Sequence, residues 1–155
     1  MSEKKCSLYR EFWKQLLAKS KQKGFLLFVG IKPSKCEYLL SIISEKKDSQ
    51  DSIGYEYALL VHHARVQLRI NFKKRNKNKE IFNTLYSNRE QIEKTFGNTL
   101  CWSKNGLKNK EGTNYSLISY VVAEKGLNDK EQRANTQDKM IDAMIRFEEA
   151  FSKYI

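Results

Sequence analysis

The stretch Ala64-Arg-Val-Gln-Leu-Arg-Ile-Asn-Phe72 constrains the fold more than any other. Ala64, Val66, Leu68, Ile70 and Phe72 alternate with Arg65, Gln67, Arg69 and Asn71. Successive side chains leave a strand on opposite sides, so this alternation predicts a β-strand with one dry face and one polar face. The preceding segment, 55–61, places Tyr55, Tyr57, Leu59 and Val61 on one side. A turn at His62-His63 would pair the two as a hairpin, with Leu59 opposite Val66, Tyr57 opposite Leu68 and Glu56 opposite Arg69. Each apolar residue then meets an apolar one and the acid meets a base, the arrangement that stabilises a strand pair.

Around this hairpin the periodicity alternates between helix and strand. Residues 7–22 predict an amphipathic helix with Ser7 as N-cap and Gly24 just beyond its end. The apolar run 25–29 has the length of a short strand, and Glu37-Tyr-Leu-Leu-Ser-Ile-Ile43 is read as a strand in preference to a helical turn. Residues 44–52 are a polar loop. A helix is expected from Asn78 as N-cap to Gly97 as stop, then a strand at 100–102, a loop at 103–114, a strand at 115–123 and a helix at 136–154. The expected class is α+β: a single domain over 1–155, with a mostly antiparallel sheet of about five strands packed against N-terminal, central and C-terminal helices.

Composition narrows the class of protein. A 40% hydrophobic content over 155 residues excludes global disorder and suffices for a core. No stretch approaches the roughly 20 apolar residues needed to cross a bilayer, and the N-terminus lacks the apolar run of a signal peptide. Cys6, Cys36 and Cys101 are odd in number and scattered, which predicts reduced thiols and a cytoplasmic setting. The charge is strongly unbalanced: 29 basic against 18 acidic residues give +11. Such a surplus is the usual electrostatic footprint of nucleic-acid binding, although a lysine-rich solvated surface produces it too.

Several ordered motifs point to a family. Ile31-Lys-Pro-Ser-Lys35, Ala64-Arg-Val-Gln-Leu-Arg-Ile70, Asn78-Lys-Glu-Ile-Phe-Asn-Thr-Leu85, Gln91-Ile-Glu93, Phe96-Gly97, Leu100, Trp102 and Arg146-Phe-Glu-Glu-Ala-Phe151 together resemble the bacterial and archaeal domain-of-unknown-function family 4268, from Phe12 to Ile155. The resemblance implies a domain found alone or at the C-terminal end of larger proteins, often beside nuclease-like domains, and it brings no assigned activity. It also implies that Glu commonly stands where this chain has Gln67.

The residues speak against an active nuclease. The element order echoes the PD-(D/E)XK core, a distant restriction-endonuclease-like likeness in which Glu56, Gln67 and Arg69 would occupy the metal and lysine positions. Gln67 is a poor ligand for a hard cation, and Arg69 cannot lose a proton to act as base. The two histidines lie side by side without partners, no cysteine sits at zinc-ligand spacing, and no phosphate-cradling glycine motif occurs. No catalytic residue, metal site or cofactor is therefore assigned.

The remaining candidate is basic. Arg65, Arg69, Lys73, Lys74, Arg75, Lys77 and Lys79 cluster at a strand-to-helix junction, with Lys104, Lys108, Lys110, Lys21 and Lys23 able to extend it. The expected function is a non-catalytic nucleic-acid-binding accessory domain linked to restriction, repair or defence. The alternatives are a protein-interaction or assembly module with a protein partner or as a homodimer, marked by an exposed apolar patch such as one from the aromatic-rich last helix, and a degenerate nuclease scaffold.

Overall fold

The computed structural model describes residues 2–33, 37–45, 51–108 and 114–155. In chain order its elements are α1 (Glu3–Gln22), β1 (Leu39–Glu45), β2 (Ser52–Leu59), β3 (Ala64–Asn71), α2 (Arg75–Ser87), α3 (Arg89–Phe96), β4 (Cys101–Lys108), β5 (Asn114–Ala123) and α4 (Arg133–Phe151). The alternating stretch is β3, the middle strand of a five-stranded sheet ordered β1-β2-β3-β5-β4. Every neighbouring pair is antiparallel. This is the expected α+β class.

Register explains the layering. Ile42, Tyr55, Leu68, Ile118 and Trp102 form one row across all five strands, and Leu40, Tyr57, Val66 and Tyr120 form another on the same face. That face carries the helices. Phe147 of α4 meets Tyr55 with ring centroids 6.2 Å apart, Trp13 of α1 lies 6.5 Å from Tyr57, and Phe82 of α2 lies 6.0 Å from Trp102. Val66, Leu68 and Ile70 are wholly buried beneath them. Each such side chain withdrawn from water stabilises the fold by about 1.5–3 kcal/mol.

Several expectations are corrected. Strand β2 turns back at Val61-His62, closed by the Leu60 amide on the His63 carbonyl at 2.8 Å, so the hairpin register moves by two residues. Leu59 therefore faces Ala64, Tyr57 faces Val66 and Glu56 faces Gln67. A shift of two keeps every side chain on its face, which is why the dry and polar faces survive the error. The run 25–29 is not a strand. It sits between Gly24 and Gly30, both at positive φ (78° and 87°), and folds into successive turns. These sink Phe28 fully into the core, 4.7 Å from Tyr57, pack Phe25 and Leu27 partly against it, and leave Leu26 and Val29 exposed.

Helix boundaries also move. The first helix starts at Glu3, with Ser2 rather than Ser7 accepting the capping bond, from the Lys5 amide. The helix expected at 78–97 is two helices, broken at Asn88, whose side-chain amide donates to the Thr84 carbonyl at 2.8 Å. That bond competes with helix continuation, the usual behaviour of Asn. Gly97 does stop the second helix, in the left-handed conformation. Asn78 lies inside α2, buried, with its amide donating to the Asn114 carbonyl at 3.1 Å. Strand β4 continues to Lys108 beyond the expected 102, and α4 begins at Arg133 after a short 3-10 turn.

Cys6 is disulfide-bonded, against the expectation of reduced thiols, whereas Cys101 is free and exposed. Residues 34–35 of the Ile31–Lys35 motif, 46–50 of the polar loop, 109–113 of the second loop, Cys36 and Lys110 lie outside the described residues.

Candidate functional site

The polar face of the sheet carries its own row. Ser41, Glu56, Gln67, Ser119 and Cys101 line up across the five strands, directly behind the apolar row. Glu56 is 2% exposed and its carboxylate is saturated with donors. Oε2 accepts from the Ser41 hydroxyl at 2.6 Å, while Oε1 accepts from Gln67 Nε2 at 2.8 Å and Arg69 Nε at 2.9 Å. The expected Glu56–Arg69 ion pair thus exists, made diagonally rather than face to face. The Arg69 guanidinium also lies 4.7 Å above the Tyr115 ring. Ser41 and Tyr115 are ordinary strand residues in the sequence; only the β1–β2 and β3–β5 pairings bring them here.

A carboxylate engaged on both oxygens is poorly placed to ligate a cation. Among the described residues no three His, Cys, Asp or Glu side chains gather where a metal ion could be held. The restriction-endonuclease-like core considered from the sequence finds no support in this sheet. The histidines belong to the β2–β3 turn. Burial, helped by the nearby charges of Arg65 and His62, holds the His63 pKa below its usual value.

The basic residues divide into three groups. Arg65 is half-buried at the far end of β3, next to that turn, with its Nε buried and unpartnered. Arg69 is tied to Glu56. Lys73, Lys74, Arg75 and Lys77 are exposed and Lys79 half-buried, all at the start of α2. None of these last five forms an ion pair among the described residues. Three other cations form ion pairs among the described residues: Lys19 with Asp138, Lys23 with Asp138 and Asp142, and Arg133 with Glu11. Lys23 is thus committed to holding α1 against α4 and does not extend the basic group.

Local geometry at α2 adds to the positive potential. Its N-cap, Lys74, makes no side-chain capping bond, and its first turn holds no acid. The free amides of that turn and the helix dipole therefore add to the lysine and arginine charges. The Asp51 carboxylate accepts the Lys73 backbone amide at 2.7 Å and fixes how the chain enters the helix. The Lys77 ammonium sits 4.9 Å over the Phe72 ring. Arg75, Lys79 and Asn83 recur at four-residue spacing along α2, and Lys104 of β4 donates to Asn83 Oδ1 at 2.7 Å, so a further cation joins that stripe. The side chain of Lys108 lies outside the described residues.

These features define a one-sheet α+β domain with its helices on one face and an unneutralised basic helix start. The chain belongs to the family described as Domain of unknown function (DUF4268), whose model matches residues 8–155. A search of curated proteins finds no match. Among solved structures the chain is similar to YbjN, "a putative transcription regulator from E. coli", at 8% identity and a TM-score of 0.32, with 89% of this chain and 95% of that one covered. An overlap that loose carries no argument. No helix among the described residues is long and apolar enough to cross a membrane.

Proposed function

We propose that this chain is a non-catalytic nucleic-acid-binding domain that engages backbone phosphates through Lys73, Lys74, Arg75, Lys77 and Lys79, with Lys104 beside them. The observation that carries this reading is the crowding of five cations at the start of α2, whose first turn holds no acid and none of which forms an ion pair among the described residues. Cations left unpaired at a dipole-positive helix start favour polyanions. The family resemblance supports an accessory role in restriction, repair or defence, and the donor-saturated Glu56 supports binding over metal-assisted cleavage.

The test is a salt series with labelled duplex and single-stranded probes. The triple charge reversal K73E/K74E/R75E should weaken binding at least tenfold at about 100 mM salt and flatten the salt dependence by roughly 0.9 log units per lost phosphate contact on duplex. Unchanged binding in the triple variant, or none by the native chain at about 50 mM salt, would sink the proposal.

A second reading, a protein-assembly module, draws on one observation. Leu26 and Val29 are 62% and 51% exposed, close to a mostly apolar depression lined by Leu27, Ile42, Ile53 and Ile155. The aromatic residues of α4, Phe147 and Phe151, are fully buried and offer no such surface.

A further inference from the structure

Arg69 is held in a way that a simple structural ion pair does not require. Its Nε donates to Glu56 and its guanidinium rests over Tyr115, yet neither Nη nitrogen has a partner among the described residues. Neither is a buried orphan, and the side chain is 20% exposed, so these N–H groups reach solvent. An arginine that serves only its carboxylate gains most by presenting two parallel N–H groups to both oxygens. Here that geometry is blocked. Ser41 occupies Glu56 Oε2, and Gln67 shares Oε1. The carboxylate therefore grips one edge of the guanidinium and leaves four of its five N–H groups unspent.

We propose that Arg69 is a pre-positioned receptor for a single backbone phosphate of the bound nucleic acid, its two Nη atoms taking two phosphate oxygens. The proposal rests on the nucleic-acid reading above and extends the site from the start of α2 onto the sheet. Arg69 and Asn71 share the polar face of β3, and Lys73 follows two residues later. The four-residue step from Arg69 to Lys73 spans at most ~14 Å, a distance one nucleic-acid strand covers. The Glu56–Arg69 pair is formally neutral, so Arg69 contributes directed hydrogen bonds while the lysines contribute net charge. Side-chain ordering that binding would otherwise require is already done by Glu56 and Tyr115.

That division of labour sets the test. In R69K the charge is kept and the planar fork is lost. Binding of labelled duplex or single strand should fall about tenfold, while its slope against salt stays that of the native chain. K73E/K74E/R75E should instead lower the slope. Should R69K fold poorly, the native protein still decides the matter: the Arg69 Nη resonances, identified by ¹⁵N NMR, should shift on adding the oligonucleotide. Full-strength binding by R69K, or Nη resonances unmoved at saturation, would overturn this inference alone. No binding by the native chain would remove the nucleic-acid reading and this inference with it.

Discussion

At the scale of single residues, Glu56 shows how much a buried acid depends on its donors. It lies in the middle of a sheet, 2% exposed, and is tolerable there because Ser41, Gln67 and Arg69 all donate to it. Removing the carboxylate leaves a half-buried guanidinium and a buried amide without their acceptor. Glu56→Ala should therefore destabilise the protein by about 3 kcal/mol, read as a lower urea midpoint with the slope of the transition unchanged. Ser41→Ala should cost less, about 1 kcal/mol, since one neutral donor is lost and the charged pair remains. Equal midpoints for the two variants would show that Glu56 is not the hub of the network. Sequence pairing found Glu56 and Arg69 because a base two positions off register is still within reach of a long side chain. It did not find Ser41, whose strand joins the sheet through a loop that no periodicity describes.

At the scale of elements, α2 begins badly by the rules of helix stability. A lysine stands at its N-cap where the side-chain oxygen of Ser, Thr, Asp or Asn would accept from the first amides, and the first turn is basic where the dipole prefers acids. A helix start of this kind costs stability and concentrates positive potential. Lys74→Ser should accordingly raise stability by about 1 kcal/mol in urea denaturation while weakening nucleic-acid binding and its salt dependence. A variant both more stable and equally tight would show that Lys74 takes no part in binding. The run 25–29 makes the converse point. Five apolar residues carry the signal of a strand, but flanking glycines at positive φ turn the chain, and only Phe28 is fully buried in the core. Composition could not separate these outcomes, because a short apolar run reads alike as buried strand and as buried turn.

At the scale of the whole molecule, stability should be graded outward from β3. This strand is paired on both sides and covered by α4, whereas β1 and β4 each leave one edge without a strand among the described residues. Native-state amide exchange should be slowest at residues 66–70 of β3 and their β5 partners, and markedly faster in β1. Uniform protection across the five strands would contradict that gradient.

The one-sided sheet was legible from β3 alone, since a strict two-residue period commits one face to the core and the other to polar contacts, whatever the partners are. The class, the order of most elements and the basic cluster also followed from local pattern, because propensity, charge and periodicity act over a few neighbours. What the tertiary structure decided was non-local. It chose the hairpin register, inserted β5 between β3 and β4, and placed Tyr115 under Arg69 and Lys104 beside α2. It also separated Arg65 from the other cations by the length of a strand. Each of these depends on which distant segments share a face, and that is set by packing over the whole sheet rather than by any residue's own preference.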